Sequence, residues 1–345
     1  MSGGVDSSVA AMLLVEQGYD VVGVMLQMWR EPSSSGESRP EPAEDAQQVA
    51  AFLGIPFHLV DCRERFRECV VEYFVQQYAC ARTPNPCLAC NRHIKFGFLL
   101  DLAQSLGARY LATGHYARVR WVEGLFQLWR GRDRRKDQSY VLYMLGQEQL
   151  AHVLFPLGDH TKTEVRAIAA ARRLPVADKR ESQEVCFISD NDYRRFLRAW
   201  APDLARPGPI LLTSGEQVGE HQGLAFYTIG QRKGMGVAWP EPLYVLAMDP
   251  ARNALIVGPA AQLGRDRLLV EEVSFVSGVA PPLPQPVTTK IRYAGAEVAA
   301  TLYPAADGKV EVRLARLLRD ITPGQAAVFY QGEVVLGGGI IETAL

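Results

Sequence analysis

Runs of apolar residues at helical spacing alternate with short strand-like runs through the first third of the chain, and this alternation constrains the fold most strongly. Val5, Val9, Met12 and Leu13 share one helix face, Gly18 supplies a stop, and Asp20-Val21-Val22-Gly23-Val24-Met25-Leu26 reads as a buried strand. Ala46, Val49, Ala50 and Leu53 mark a second helix closed by Gly54, with Phe57-His58-Leu59-Val60 as the next strand. Residues 30–42, rich in Ser, Pro and Glu, read as the loop before that helix. Phe98, Leu99, Leu102 and Leu106, capped by Gly107, lead into Tyr110-Leu111-Ala112-Thr113. Strands separated by helices pair in parallel, so the first half predicts an α/β doubly wound parallel sheet.

Beyond about residue 189 the period changes. Residues 194–200 predict a helix, and from Pro207 onward short β-branched runs alternate with Gly, Pro and Asp turns. Strands are expected at 243–248, 254–257, 268–275, 287–292, 298–303, 310–314, 326–330 and 334–336, enough for one small β domain and one β-barrel. The expected division is 1–189, 190–258 and 259–345, without an internal repeat.

Charge excludes some functions. With 37 Lys and Arg against 38 Asp and Glu over 345 residues, the chain is neither a histone-like nucleic-acid coat nor an acidic disordered tail. No apolar run approaches the ~20 residues of a membrane helix, and the N-terminus has no signal-like stretch, so a soluble, cytoplasmic protein without a membrane partner is expected. Its 6 Cys then point to metal or redox chemistry, or to packing, rather than to a disulfide framework. Residues 118–206 carry 17 Lys and Arg against 12 Asp and Glu, a local net charge of +5. Within them, Arg130-Gly131-Arg132-Asp133-Arg134-Arg135-Lys136-Asp137 suits phosphate contacts and equally suits a solvated loop.

Ser2-Gly3-Gly4-Val5-Asp6-Ser7-Ser8 stands directly before the first helix. Glycines let backbone N–H groups close around an anion, and a helix N-terminus adds unpaired donors and the positive end of its dipole. A polyphosphate fits such a loop, which resembles the S-G-G-x-D-S loop of the PP-loop ATP pyrophosphatases. Asp6 beside the phosphates is expected to help place Mg²⁺, and would equally serve as a helix-dipole partner. Such loops follow the first strand of their sheet. Here the chain begins one residue before the loop, so the expectation is an N-terminally shortened chain lacking that strand.

Thr83-Pro84-Asn85-Pro86-Cys87-Leu88-Ala89-Cys90 packs two prolines and a C-x-x-C into a rigid turn before a helix, where a lowered thiol pKa and exposed thiolate are expected. The pair alone reads as half a zinc site, a redox pair or a catalytic thiol with a neighbour. Zinc needs two further ligands, and the chain has no second C-x-x-C and no H-x-x-x-H. Cys186, at the entry to an apolar run, is placed to join the pair, whereas Cys62, Cys69 and Cys80 read as packing. His115, between Gly114 and Tyr116 after a strand's end, reads as functional rather than as a satisfied turn histidine.

Taken together, residues 2–8, 82–96, Thr113-Gly114-His115-Tyr116, Lys136-Asp137-Gln138-Ser139-Tyr140, Cys186-Phe187-Ile188, Glu220-His221-Gln222-Gly223, Gly230-Gln231-Arg232-Lys233-Gly234 and Thr322-Pro323-Gly324-Gln325 resemble, in order, the MnmA family of tRNA-specific 2-thiouridylases. The resemblance implies a PP-loop domain, a small central domain and a tRNA-binding C-terminal barrel. It further implies that Met1, Ser2, Gly3, Gly4, Val5, Asp6 and Ser7 bind ATP together with Leu26 and Gly114. Cys186 would carry a persulfide, with Cys90 as its catalytic partner and transient disulfide mate. Asn85, Pro86 and Cys87 would meet the target base, and His115, Lys136, Asp137, Gln138, Arg292, Tyr293 and Gln325 the tRNA. Two positions depart from the family pattern: some members carry Asp where Cys87 stands, and Glu181 replaces a more usual Asp.

The implied reaction is ATP-dependent 2-thiolation of the wobble uridine (U34). Adenylation turns O2, a poor leaving group, into one that departs as AMP, and sulfur arrives from a cysteine persulfide supplied by a sulfur-relay protein or cysteine desulfurase. An alternative route would use Cys87, Cys90 and Cys186 as ligands of a [4Fe–4S] cluster with one open iron. Two rival functions share parts of the pattern. A PP-loop ligase for a small molecule would need neither thiol, and a non-enzymatic RNA-binding or iron–sulfur protein would lack adenylation.

Overall fold

The computed structural model describes residues 1–31, 42–179 and 185–345. Most of the Ser/Pro-rich loop, and Glu181, lie outside the described residues. The helix–strand alternation is present: helix Val5–Glu16, strand Gly23–Gln27, helix Pro42–Leu53 and strand Phe57–Asp61. The two strands pair in parallel, Gly23 opposite Phe57 through Gln27 opposite Asp61. Leu111–Ala112 pairs in parallel with Val153–Leu154. Among the described residues no strand joins these two pairs. Residues 1–7 run between them, the Met1 ammonium donating to Val24 O on one side and Asp6 and Ser7 abutting Gly114 on the other.

The central region is a four-stranded sheet in the order Gln217–His221, Gly208–Leu212, Ala254–Pro259, Leu243–Asp249. The last two were expected, whereas the first two are short and were not individually legible. The C-terminal region closes into a barrel of six antiparallel strands, because Arg265–Phe275 pairs with both Val310–Leu318 and Val334–Ala344. Closure pairs each of the six barrel strands on both sides.

One element changes how the parts join. Ala117–Val122 and Leu125–Arg130 form a hairpin across Glu123 and Gly124, both at positive φ, and Trp129 and Leu128 pair with Val334 and Val335 of the barrel. An N-terminal segment thereby extends the C-terminal sheet. The signal was legible, since a two-residue turn ending in Gly between alternating runs is the primed-turn hairpin pattern. Packing agrees with the pairing. Leu88, Phe96, Leu100, Leu128 and Tyr140 share one core with Val328, Tyr330 and Ile340 of the barrel. Phe66, Phe74, Cys90 and Phe187 share another with Ile210, Phe226 and Leu255 of the central region. Apolar junctions of this kind hold the three regions in one arrangement.

The cysteines expected to pack do so unequally: Cys62 is buried and Cys69 half-buried, but Cys80 is exposed where helix Tyr73–Ala79 ends. No helix among the described residues is long and apolar enough to cross a membrane.

Candidate active site

The phosphate loop is braced from within. Ser2 N–H donates to Ser7 Oγ at 3.1 Å, and the Ser7 and Ser8 hydroxyls donate to Gly4 O at 3.1 and 2.9 Å. Gly3 takes a left-handed φ of +66°. Gly114 explains itself by distance, since a Cβ there would lie 2.9 Å from Asp6 C and Ser7 N. We therefore expect Gly114→Ala to displace the loop and weaken ATP binding at least tenfold, as measured by calorimetry, because clashing backbone atoms relax only partly.

Asp6 does not stand free for a metal ion. Lys162 Nζ lies 2.7 Å from each of its carboxylate oxygens, and Tyr116 OH donates to Oδ1 at 2.7 Å. In this arrangement the Lys162 ammonium, rather than a metal ion, meets the Asp6 carboxylate. Lys162, which the sequence reading missed, opens helix Lys162–Ala171 behind a Thr161/Glu164 capping box. Lys179 donates to Gly3 O at 2.9 Å and pairs with Asp45, so a second lysine lies against the loop. Gln138 ties in through Tyr116: its Oε1 accepts Tyr116 N–H at 3.0 Å, and its own N–H donates to Tyr116 O at 2.9 Å.

The thiol site is built around helix Pro86–Ala89. Asn85 caps it, accepting Cys87 N–H at 3.1 Å, and Pro86 occupies its first turn, where no N–H is needed. The winding then widens to π-helical over Cys90–Phe98. Cys87 and Cys186 are exposed and Cys90 is buried. Cys90 lies in the same apolar core as Phe187 and Ile188, the neighbours of Cys186, and Leu26 packs against that core. The expected low thiol pKa is not found. Burial pushes the Cys90 thiol up, and crowding, followed by the charges of Cys90 and Cys87, pushes Cys186 up to about 12 although part of its surface is open. Desolvation outweighs the short helix start here. Among the described residues no group of three or more His, Cys, Asp or Glu is placed to hold a metal ion.

The residues expected at tRNA divide into displayed and supporting groups. Tyr293 is exposed, stands edge-on to Tyr140 at 6.0 Å, and has its hydroxyl pushed up to about 12 by burial and then by Asp137 and Cys87. Gln325 Nε2 donates to Thr83 O at 2.8 Å, Thr83 N–H donates to Pro323 O at 2.9 Å, and Gly324 packs on the Thr83 backbone. Arg292 is turned inward, donating to Asp320 O at 3.0 Å and Thr322 Oγ1 at 2.5 Å. His115 is buried between Phe96 and Phe155, 2.7 Å from Thr113 Oγ1, with desolvation holding its pKa well down. Asp137 is buried and accepts Gly131 N–H, Ser139 N–H and the Ser139 hydroxyl. His115 and Asp137 therefore show little surface in this structure and brace the loops that carry them.

The basic run is also largely neutralised. Arg130 is buried over the Tyr330 ring and paired with Glu297, Arg132 pairs with Glu164, and Arg134 pairs with Glu333.

Family models match the chain in three blocks: the tRNA methyl transferase HUP domain over residues 1–190, its PRC-barrel domain over 194–259, and an aminomethyltransferase beta-barrel domain over 265–341. The chain is 50% identical over 351 residues to the tRNA-specific 2-thiouridylase MnmA of Moorella thermoacetica, covering 99% of this chain and 98% of that protein. It is 51% identical over 363 residues to the protein of the same name from a Roseiflexus species, covering 99% and 97%. The relative from Symbiobacterium thermophilum is 48% identical over 361 residues, covering 100% and 91%.

Proposed function

The chain belongs to the MnmA family of tRNA-specific 2-thiouridylases and is a tRNA sulfurtransferase, and from that membership we propose that its own residues replace O2 of the wobble uridine by sulfur using ATP. The observation that carries this reading is that Cys90 shares one apolar core with Phe187 and Ile188, the residues directly after Cys186, although the two cysteines are far apart in sequence. A methyl transfer, which the family-model description would suggest, needs neither thiol nor polyphosphate loop.

The polyphosphate of ATP rests on the backbone N–H groups of residues 3–7, with Lys162 beside them to offset its charge. Uridine O2 attacks the α-phosphorus, the bond to the bridging oxygen breaks, and pyrophosphate leaves. The terminal sulfur of a Cys186 persulfide attacks C2, and the C2–O2 bond breaks with AMP as leaving group. Cys90 thiolate then attacks Cys186 Sγ. The S–S bond breaks, its electron pair stays on the transferred sulfur, and a Cys90–Cys186 disulfide remains for a thiol reductant to reopen. Asn85, Pro86, Cys87 and Tyr293 frame the base, and Lys136, Gln138, Arg292 and Gln325 hold the surfaces around it. The sulfur comes from a relay protein or a cysteine desulfurase in the cytoplasm. Mg²⁺ arriving with the nucleotide would find Asp6 already paired with Lys162.

The test is mass spectrometry of tRNA nucleosides after incubation with ATP, a desulfurase and cysteine. Appearance of 2-thiouridine, with one AMP per sulfur, supports the reading. ATP cleavage driven by a small-molecule acceptor without thiolated tRNA would favour a ligase instead.

A further inference from the structure

The Gly230-Gln231-Arg232-Lys233-Gly234 motif has no part in the chemistry above, yet it is built as a rigid presenting loop. Gly230, Gly234 and Gly236 have φ of +84°, +83° and +71°, which L side chains rarely adopt. Gln231 laces the turn from inside: its Oε1 accepts Thr228 N–H at 3.2 Å, and its Nε2 donates to Lys233 O at 2.9 Å. Gly230 N–H and Val245 N–H complete a reciprocal pair with Val245 O and Gln231 O, at 2.9 and 3.0 Å. The result projects Arg232 and Lys233 outward. Both are exposed, and neither has an ion pair among the described residues.

The loop is fastened to the reaction site. Thr228 Oγ1 lies 3.3 Å from Thr83 Oγ1 of the target-base loop, Arg292 Nη2 reaches Ile229 O, and Gly230 lies against the Arg319 backbone. Arg319 is exposed as well and has no ion pair among the described residues, while the acid of the adjoining cleft is Glu241. Cations already paired to carboxylates release few counterions when RNA binds, whereas unpaired ones release them fully. Arg132 and Arg134 are of the first kind, and Arg232, Lys233 and Arg319 of the second.

Resting on the function proposed above, we infer that residues 230–234 of the central region are a clamp for the phosphate backbone of the tRNA beside the target uridine. Arg232 and Lys233 make the phosphate contacts, and Arg319 of the barrel continues the same basic rim. Such contacts position the substrate without reading its sequence.

Binding of unmodified tRNA is measured by fluorescence anisotropy from about 50 to about 200 mM KCl, where each phosphate contact contributes roughly 0.7–0.9 to the slope of log affinity against log salt. In the full chain, Arg232→Gln with Lys233→Gln is expected to lower that slope by about 1.5 and to weaken binding about tenfold at low salt. ATP affinity and Tm should stay unchanged. Charge-conserving Arg232→Lys with Lys233→Arg should keep the wild-type slope, and Arg132→Gln with Arg134→Gln should change it by less than half as much as the first pair. An unchanged slope in Arg232→Gln with Lys233→Gln overturns the clamp, as does an equal loss in Arg132→Gln with Arg134→Gln. A wild-type chain that binds no tRNA would overturn the functional reading itself, a distinguishable result.

Discussion

Cys186→Ser and Cys90→Ser are each expected to abolish 2-thiouridine formation while ATP binding stays within about twofold, because the thiols and the phosphate loop belong to different segments. The two losses should differ in kind. Serine at 186 cannot carry a persulfide, so no sulfur is loaded. Serine at 90 leaves the first attack intact but removes the thiol that cleaves the S–S bond, so tRNA should remain joined to Cys186 by a disulfide that dithiothreitol reverses, visible on a denaturing gel. The raised thiol of Cys90 adds a pH signature. A thiol pushed up is neutral at pH 7 and gains thiolate as pH rises, so single-turnover release of product should accelerate about tenfold per pH unit from pH 7 toward the ordinary thiol value and continue beyond it. Wild-type thiolation by either variant, or a rate that falls over that range, would remove these residues from their roles.

Lys162→Met should have the next largest effect. Lys162 is buried and bonded to both Asp6 oxygens, so the variant removes the positive charge beside the phosphates while keeping the length of the side chain. Loss of one preorganised charge at a reacting phosphate is worth roughly 10²–10³ in rate. ATP–pyrophosphate exchange, measured in the presence of tRNA, should fall by about that much, while Cys80 and Cys87 alkylate at the wild-type rate. Asp6→Asn strips Lys162 of its counter-charge and should destabilise the fold by about 1–3 kcal/mol, less than a fully buried pair because the Asp6 side chain is 34% exposed. If Asp6 were instead the Mg²⁺ ligand, Lys162→Met would free its carboxylate, so exchange would persist and require less Mg²⁺.

Much of this architecture is written locally. The helix Val5–Glu16, the strands Gly23–Gln27 and Phe57–Asp61 and the barrel strands from Arg265 onward follow from apolar periods of 3.6 and 2, which a chain displays before it folds. The phosphate loop and the two cysteines were legible for a similar reason, since both motifs are short and adjacent to helix starts. The hairpin Ala117–Val122 with Leu125–Arg130 was equally present in the pattern, but its attachment to Val334 and Val335 was not. Register between strands so far apart in the chain depends on the closed barrel.

What tertiary structure alone decided is which polar side chains face solvent and which already have partners. His115 and Asp137 are buried, and Asp6 is held by a lysine 156 positions away, none of which the sequence alone displays. The Arg130–Lys136 run looked like a basic face, yet Glu297, Glu164 and Glu333 neutralise much of it. Charge in a sequence is counted residue by residue, but its effect depends on desolvation and on the nearest opposite charge, and both are set by segments that meet only in the folded chain. Cys90 obeys the same rule: its place at a helix start predicted a lowered thiol pKa, and the apolar core from the central region that closes over it raises that pKa instead.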